Sequence, residues 1–198
     1  KIEQAKGKRI DGHAPLLSGK ALNAYLTAGI RSDHECTTLK EAKEKLANGM
    51  WIMIREGSTA RNLKDLLPLV TPKNSRHLLF VTDDRHPKEL LEEGHINSIV
   101  RKAIRLGIDP FLAIQMATLN SAEYFRLDDL GAIAPGYRAD LITFDHLGRF
   151  QIKKVFKDGV LVAEDGKMVS RPIRVSSSLK KSVQSSVRMK EIKSDAFL

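Results

Sequence analysis

Residues 77–87 read HLLFVTDDRHP: an apolar run climbs to two adjacent aspartates, and a helix-starting pattern follows at once. A run of this kind without polar alternation reads as a strand buried on both faces. A single carboxylate at its end would serve to cap the next helix. Two of them, Asp83 and Asp84, with Arg85, His86 and Pro87 directly behind, have the look of a site.

The same rhythm recurs upstream. KRIDGH (8–13) leads to SGKALNAYLTAG (18–29), GIRSDHE (29–35) to TLKEAKEKLANG (38–49), and MWIMIREG (50–57) to TARNLKDLLPLV (59–70). The 77–84 strand leads in turn to PKELLEEGHINSIVRKAIRLG (87–107). Ser18 is placed to cap the first helix, and Thr38 the second, with Glu41 completing a capping box. Gly29, Gly49 and Gly107 stand where helix ends favour a residue tolerant of positive φ. Strand–helix alternation implies parallel strands with helices packed outside, an α/β fold. A further helix is expected over 109–125, with Asp109 as cap and Pro110 at its first position. After it, 131–145 and 150–169 alternate apolar and polar residues between glycine turns and read as short antiparallel strands.

The chain has 198 residues, enough for one good core and a small second one. No apolar run approaches the roughly 20 residues that span a bilayer, so no membrane partner is expected. Cys36 is the only cysteine, which excludes an internal disulfide and fits a reducing compartment. The net charge of +9 is uneven: seven Lys/Arg stand against two Asp/Glu from Arg171 onward, so +5 of the net +9 falls in a Ser-rich end. The body lacks a basic face with aromatic or groove-reading elements, so nucleic acid is not an expected partner. The first residue is not Met and lies inside patterned sequence, which leads us to expect a fragment of a longer protein.

The carboxy ends of the four expected strands carry His13, His34 with Glu35, Arg55 with Glu56, and Asp83 with Asp84. Positions 13, 34, 56 and 83 are 21, 22 and 27 residues apart, one βα unit each. In parallel α/β folds the carboxy ends of the strands face the site. Two histidines and two acidic positions would then converge on one rim, a donor set suited to zinc, manganese or iron. Each residue also has a plainer reading: a hydrogen-bonded strand-end histidine, a capping Asp84, a Glu56 paired with Arg55 or Arg61.

Four stretches carry a resemblance: IDGHAPLLSGKALNAYLTAGIRSDHE (10–35), MIREGSTARNL (53–63), VTDDRHP (81–87) and GAIAPGYRADL (131–141). Together they resemble the microbial adenine deaminases of the amidohydrolase superfamily, over residues 8–169. The last stretch is shared across the superfamily and says less about substrate. The resemblance implies a (β/α)₈ barrel with a small β-sandwich. This chain would supply the second half of the barrel (1–127), sandwich strands (128–170), and a basic linker opening a further domain (171–198). It implies hydrolytic deamination of adenine to hypoxanthine and ammonia by a metal-activated hydroxide, with manganese as first choice and iron or zinc as alternatives. A cytoplasmic enzyme, homo-oligomeric at full length, is expected.

By motif, His13 takes the place after strand five, His34 after strand six and Asp83 after strand eight. The histidine pair after strand one and the bridging acid after strand four have no counterpart, and no H-x-H occurs in the chain. Related deaminases place a glutamate three residues after the strand-five histidine; here that position is Leu16, and Glu35 is the candidate replacement as ring-protonating acid, the alternative being that it holds a ligand by a hydrogen bond. Asp83 would bind metal and shuttle protons, Asp84 would hold the amine or orient Asp83, and Arg55 and Ser58 are candidate substrate contacts. His77, His86, His95 and His146 are read as packing or solvated, and Cys36 as outside the metal site. Two other readings stay open: a cytosine-deaminase-like or dihydroorotase-like amidohydrolase, and a non-catalytic half-barrel acting as an interaction module.

Overall fold

Residues 7–169 are described in the computed structural model, so the expected continuation over 171–198 lies outside the described residues. Three parallel strands, β1 (Ser32–Asp33), β2 (Trp51–Arg55) and β3 (Leu78–Val81), form a sheet in that order. Ser32 pairs with Trp51, and Ile52 through Arg55 pair with Leu78 through Val81. Helices α1 (Gly19–Thr27) and α2 (Leu39–Ala47) precede β1 and β2. The one-turn α3 (Leu63–Leu66) precedes β3; α4 (Pro87–Glu92), α5 (Ile96–Arg105), α6 (Pro110–Ala117) and α7 (Leu119–Phe125) follow it.

The unbroken apolar character of β2 and β3 is explained by burial on both faces. Ile52, Ile54, Leu78 and Phe80 pack with Leu63, Leu66, Ile99, Val100, Ala113 and Met116. Met53 and Leu79 point the other way, against Tyr124 of α7. Fully burying a side chain of this size contributes roughly 1.5–3 kcal/mol, so this strand pair anchors the region.

Local signals decided several helix ends. The Thr38 side chain accepts from the Glu41 amide, and Asp109 accepts from the amides of Phe111 and Leu112. Gly29, Gly49 and Gly107 all have positive φ. Other expectations need correction. Ser18 occupies the cap position of α1 but makes no capping bond; the Gly19 amide donates to Glu44 Oε1 at 2.7 Å instead. Residues 8–13 form no ladder strand. They run beside β1 so closely that a Cβ on Gly12 would lie 2.3 Å from the Ser32 carbonyl oxygen. The helix expected over 87–107 is two, parted at Gly94 (φ +103), and the one over 109–125 is broken at Thr118. Pro68 lacks an N–H and crowds the preceding turn, so α3 gives way to a 3-10 turn at Leu67–Leu69.

A second sheet, an antiparallel meander, follows: β4 (Leu141–Phe144), β5 (Ile152–Lys157), β6 (Val160–Glu164) and β7 (Lys167–Met168). Its turns use Asp158-Gly159 and Asp165-Gly166, with all four residues at positive φ, as a two-residue hairpin turn matched to strand twist requires. Phe150, 2% exposed, joins the core beneath β2 and β3, with Phe144 and Ile152 packed against it. Among the described residues, no helix is long and apolar enough to cross a membrane.

Candidate active site

The rim at the carboxy ends of β1–β3 is built by short-range geometry. His34 and Glu35 follow β1 directly. His13 is brought beside them because the segment before it lies against β1, and the Ala14 amide donates to Asp33 Oδ1 at 3.0 Å. His13 Nδ1 lies 3.4 Å from His34 Nε2. Glu35 Oε1 lies 3.4 Å from His13 Nδ1 and 3.5 Å from His34 Nε2. Three potential ligand atoms therefore face one point.

The other nitrogen of His34 is already committed. Nδ1 lies 2.9 Å from Asp11 Oδ2, the arrangement in which Nδ1–H donates to a carboxylate and the Nε2 lone pair is left for an electrophile. Asp11 is itself held: Ser32 Oγ donates to its Oδ1 at 2.5 Å, and the Tyr124 hydroxyl meets Ser32 Oγ at 2.5 Å. Burial raises Tyr124 above its ordinary value, with the Ser32 bond opposing, so the phenol is protonated and acts as a donor. Neither Asp11 nor this Tyr124–Ser32 support carries a local sequence signal, since their partners lie 21 and 92 residues away.

Arg55, last residue of β2, joins the two acids. Its Nη1 and Nη2 donate to both oxygens of Glu35, the latter at 3.0 Å, and Nη1 also reaches Asp83 Oδ2 at 2.6 Å. Asp83, expected among the metal ligands, therefore stands outside the three-donor group, because its carboxylate turns to the nearest cation. Its backbone takes φ +52, which swings the side chain out over the rim. Glu35, expected as the ring-protonating acid or as a hydrogen-bonding support for a ligand, lies within that group. Arg55, expected at substrate, is an ion-pair bridge here.

The second aspartate has a different task. Asp84 Oδ2 accepts from the Thr59 amide at 3.1 Å and from the Thr59 hydroxyl. The Thr59 bond holds its carboxyl below the ordinary value against the opposing effect of burial. Its Oδ1 is buried without a partner and so close that a Cβ on Gly57 would lie 2.1 Å away. Asp84 thus fastens the 57–61 loop and caps no helix; α4 begins at His86 without a side-chain cap. Ser58 donates to Glu89 and accepts from the His86 amide at 2.9 Å. His95, expected to lie within a helix, stands before α5 with Nε2 3.1 Å from Thr82 Oγ1. His77 stacks on Trp51 at 4.9 Å between ring centroids.

A cavity of about 330 Å³ opens beside the cluster, lined by Asp11, His34, Met53, Thr82, Asp83 and Phe125 among others. A larger one, about 640 Å³, lies between α5, α6 and the second sheet and is lined by none of the three donors. We place the chemistry at the smaller cavity, since size without convergent polar groups is no sign of catalysis.

The amidohydrolase family pattern matches residues 1–162. The chain belongs to the amidohydrolase family. Among curated amidohydrolases it is 56% identical over 190 residues to the adenine deaminase of Dehalococcoides mccartyi, covering 96% of this chain and 33% of that protein. It is 57% identical over 164 residues to the adenine deaminase of Kosmotoga olearia, covering 83% and 28%. The chain thus spans about a third of the length of the curated relatives it matches. Among solved structures, the amidohydrolase enamidase aligns at TM-score 0.66 and 18% identity over 86% of this chain and 51% of that one, a likeness of fold. In an amidohydrolase of this kind, a donor set of two imidazoles and a carboxylate, with one imidazole backed by Asp11, fits a divalent cation.

Proposed function

We propose that this chain is a segment of an adenine deaminase that lacks the first half of its barrel, the whole enzyme converting adenine and water to hypoxanthine and ammonia. The convergence of His13, His34 and Glu35 on one point carries this reading, and the identity to adenine deaminases supports the choice of substrate. We further assign 1–127 to the second half of a barrel, 128–170 to sandwich strands and 171–198 to the start of another domain. The full-length protein is assigned as a cytoplasmic homo-oligomer, with manganese as its metal.

His13 and His34 would hold the cation, with Asp83 as the carboxylate closing the site from β3 and Glu35 beside them as an acid. A divalent cation at this position supplies water that is acidic enough to be deprotonated near neutral pH. Asp83, exposed at the rim and steered by Arg55, takes a proton from the attacking water and later returns it to the departing amine. Glu35 in its protonated form gives a proton to the ring nitrogen beside the reacting carbon, so that negative charge does not build up in the ring, and takes one back from the added hydroxyl as the carbonyl forms. Water adds at the carbon bearing the amine, the C–N bond breaks, and ammonia leaves. Arg55 keeps both carboxylates in reach of the substrate. Asp84 keeps the 57–61 loop in place, with Ser58 on that loop as a substrate contact only if Glu89 releases it.

The test is ammonia release by the full-length protein with manganese supplied, comparing adenine with cytosine and dihydroorotate. Release from adenine alone is expected. Metal binding with turnover of cytosine or dihydroorotate instead would reassign the substrate and keep the scaffold. No metal and no turnover would favour a non-catalytic module.

A further inference from the structure

We infer that Lys45 is a positioning residue that sets the spacing of His13 and His34, an assignment that rests on the reading of those histidines as cation ligands. Lys45 lies on α2 and is fully buried. Its ammonium has three hydrogens and three acceptors on three segments: the Ala14 carbonyl at 2.5 Å, Asp33 Oδ2 at 2.7 Å and Glu41 Oε1 at 2.7 Å. Ala14 follows His13 in the chain, and Asp33 precedes His34.

The Ala14 peptide is gripped from both sides. Its N–H donates to Asp33 Oδ1, and the carbonyl of the same residue accepts from Lys45. Asp33 also accepts from the Glu35 amide at 3.2 Å and from the Cys36 thiol at 3.1 Å, so both turns hang on one carboxylate and one ammonium. Glu41 closes the far side by accepting from the Leu16 amide at 2.7 Å and the Thr37 amide at 3.3 Å. No ladder contact joins the 8–14 segment to β1; side-chain bonds do, from Asp11 to Ser32 and His34 at one point and through this buried cluster at the other. A lysine whose three hydrogens are all used has no spare donor to offer substrate, so it acts through the histidines' backbone.

The experiment uses the full-length protein, with Mn²⁺ titrated calorimetrically and Co²⁺ read by its visible absorption, well below the unfolding temperature. Lys45→Met is expected to weaken Mn²⁺ binding by about tenfold or more, the scale of lost ligand support, and to change the Co²⁺ spectrum. Leu66→Ala, an equally buried change in the core cluster away from the histidines, is expected to lower the unfolding temperature and leave Mn²⁺ binding unchanged. If Lys45→Met does not fold, Lys45→Met/Asp33→Asn removes the ammonium and one of its two carboxylate partners, so the cluster keeps its net charge and Glu41 is still held by the Leu16 and Thr37 amides. It still frees the Ala14 carbonyl, so the same loss is expected. A folded variant of either kind that binds Mn²⁺ like the unaltered protein, with an unchanged Co²⁺ spectrum, overturns the assignment. Unaltered protein that binds no Mn²⁺ removes the cation reading of the site, and this inference with it.

Discussion

Two three-donor groups stand side by side at the end of β1. His13, His34 and Glu35 face the rim; Asp33, Cys36 and Glu41 lie buried behind them. By donor atoms and spacing, either would pass as a metal site. They differ in what already occupies them. The buried group encloses Lys45, so its cation is built into the chain. In the open group Arg55 touches the carboxylates, its Nη1 donating to the same Glu35 Oε1 that faces the histidines and to Asp83, but the two imidazoles carry no fixed cation among the described residues. Donor geometry alone therefore does not mark a metal centre; the positions of nearby fixed charges and the access of solvent decide between a site and a clasp.

The largest effect that would break the buried half is loss of its cation. Lys45→Met leaves Asp33 uncompensated and should destabilise the fold by about 3–5 kcal/mol, read by denaturant unfolding. On the open side, Asp83→Asn should leave stability nearly unchanged and lower adenine turnover by at least about 100-fold, the scale of lost proton transfer. Near-normal turnover would remove Asp83 from the mechanism. Asp11→Asn should weaken metal binding by roughly 10–100-fold, because the carboxylate that orients the His34 ring is lost while the ring remains. Removing the cap with Thr38→Ala should cost about 1 kcal/mol without touching metal affinity, a control on the helix that carries Lys45.

The pair also separates the groups by pH. Burial alone would raise Asp33, but the bonds from Lys45, Cys36 and Ala14 outweigh it and hold the carboxyl below its ordinary 3.8. Burial alone would lower Lys45, yet Asp33 and Glu41 hold it above its ordinary 10.5. Asp33 then contributes stability that is present above 3.8 and lost as pH falls through its lower folded value. Lys45 contributes stability that is present below 10.5 and lost as pH rises through its higher folded value. The Lys45→Met/Asp33→Asn variant should flatten both flanks of a stability–pH curve. Burial and the neighbouring Asp33 push the Cys36 thiol far up, so a thiol reagent should modify Cys36 only after unfolding.

Much of this was legible from short-range pattern. The run at 77–84 marked a buried parallel strand, Thr38 and Asp109 marked real caps, and the glycine turns marked the hairpins of the second sheet. His13 and His34 were legible as neighbours because each ends a βα interval. The helix breaks at Gly94 and Thr118 were not, since the apolar spacing continues across both. Nor was the course of residues 8–13, whose apolar-to-histidine pattern suits a strand but whose Gly12 lets the backbone press on Ser32 without pairing.

The sequence by itself determined the strand–helix order, the amidohydrolase motifs and the placing of titratable residues at strand ends, because those depend on neighbours within a few residues. Only the tertiary structure decided the partners of those residues. Arg55 bridges Glu35 to Asp83 across 20 and 28 residues, and Lys45 joins the turns of two histidines across 12 and 31. A charge's environment is set by what packing brings within hydrogen-bond distance, and one lysine on an amphipathic helix looks like any other until the fold encloses it.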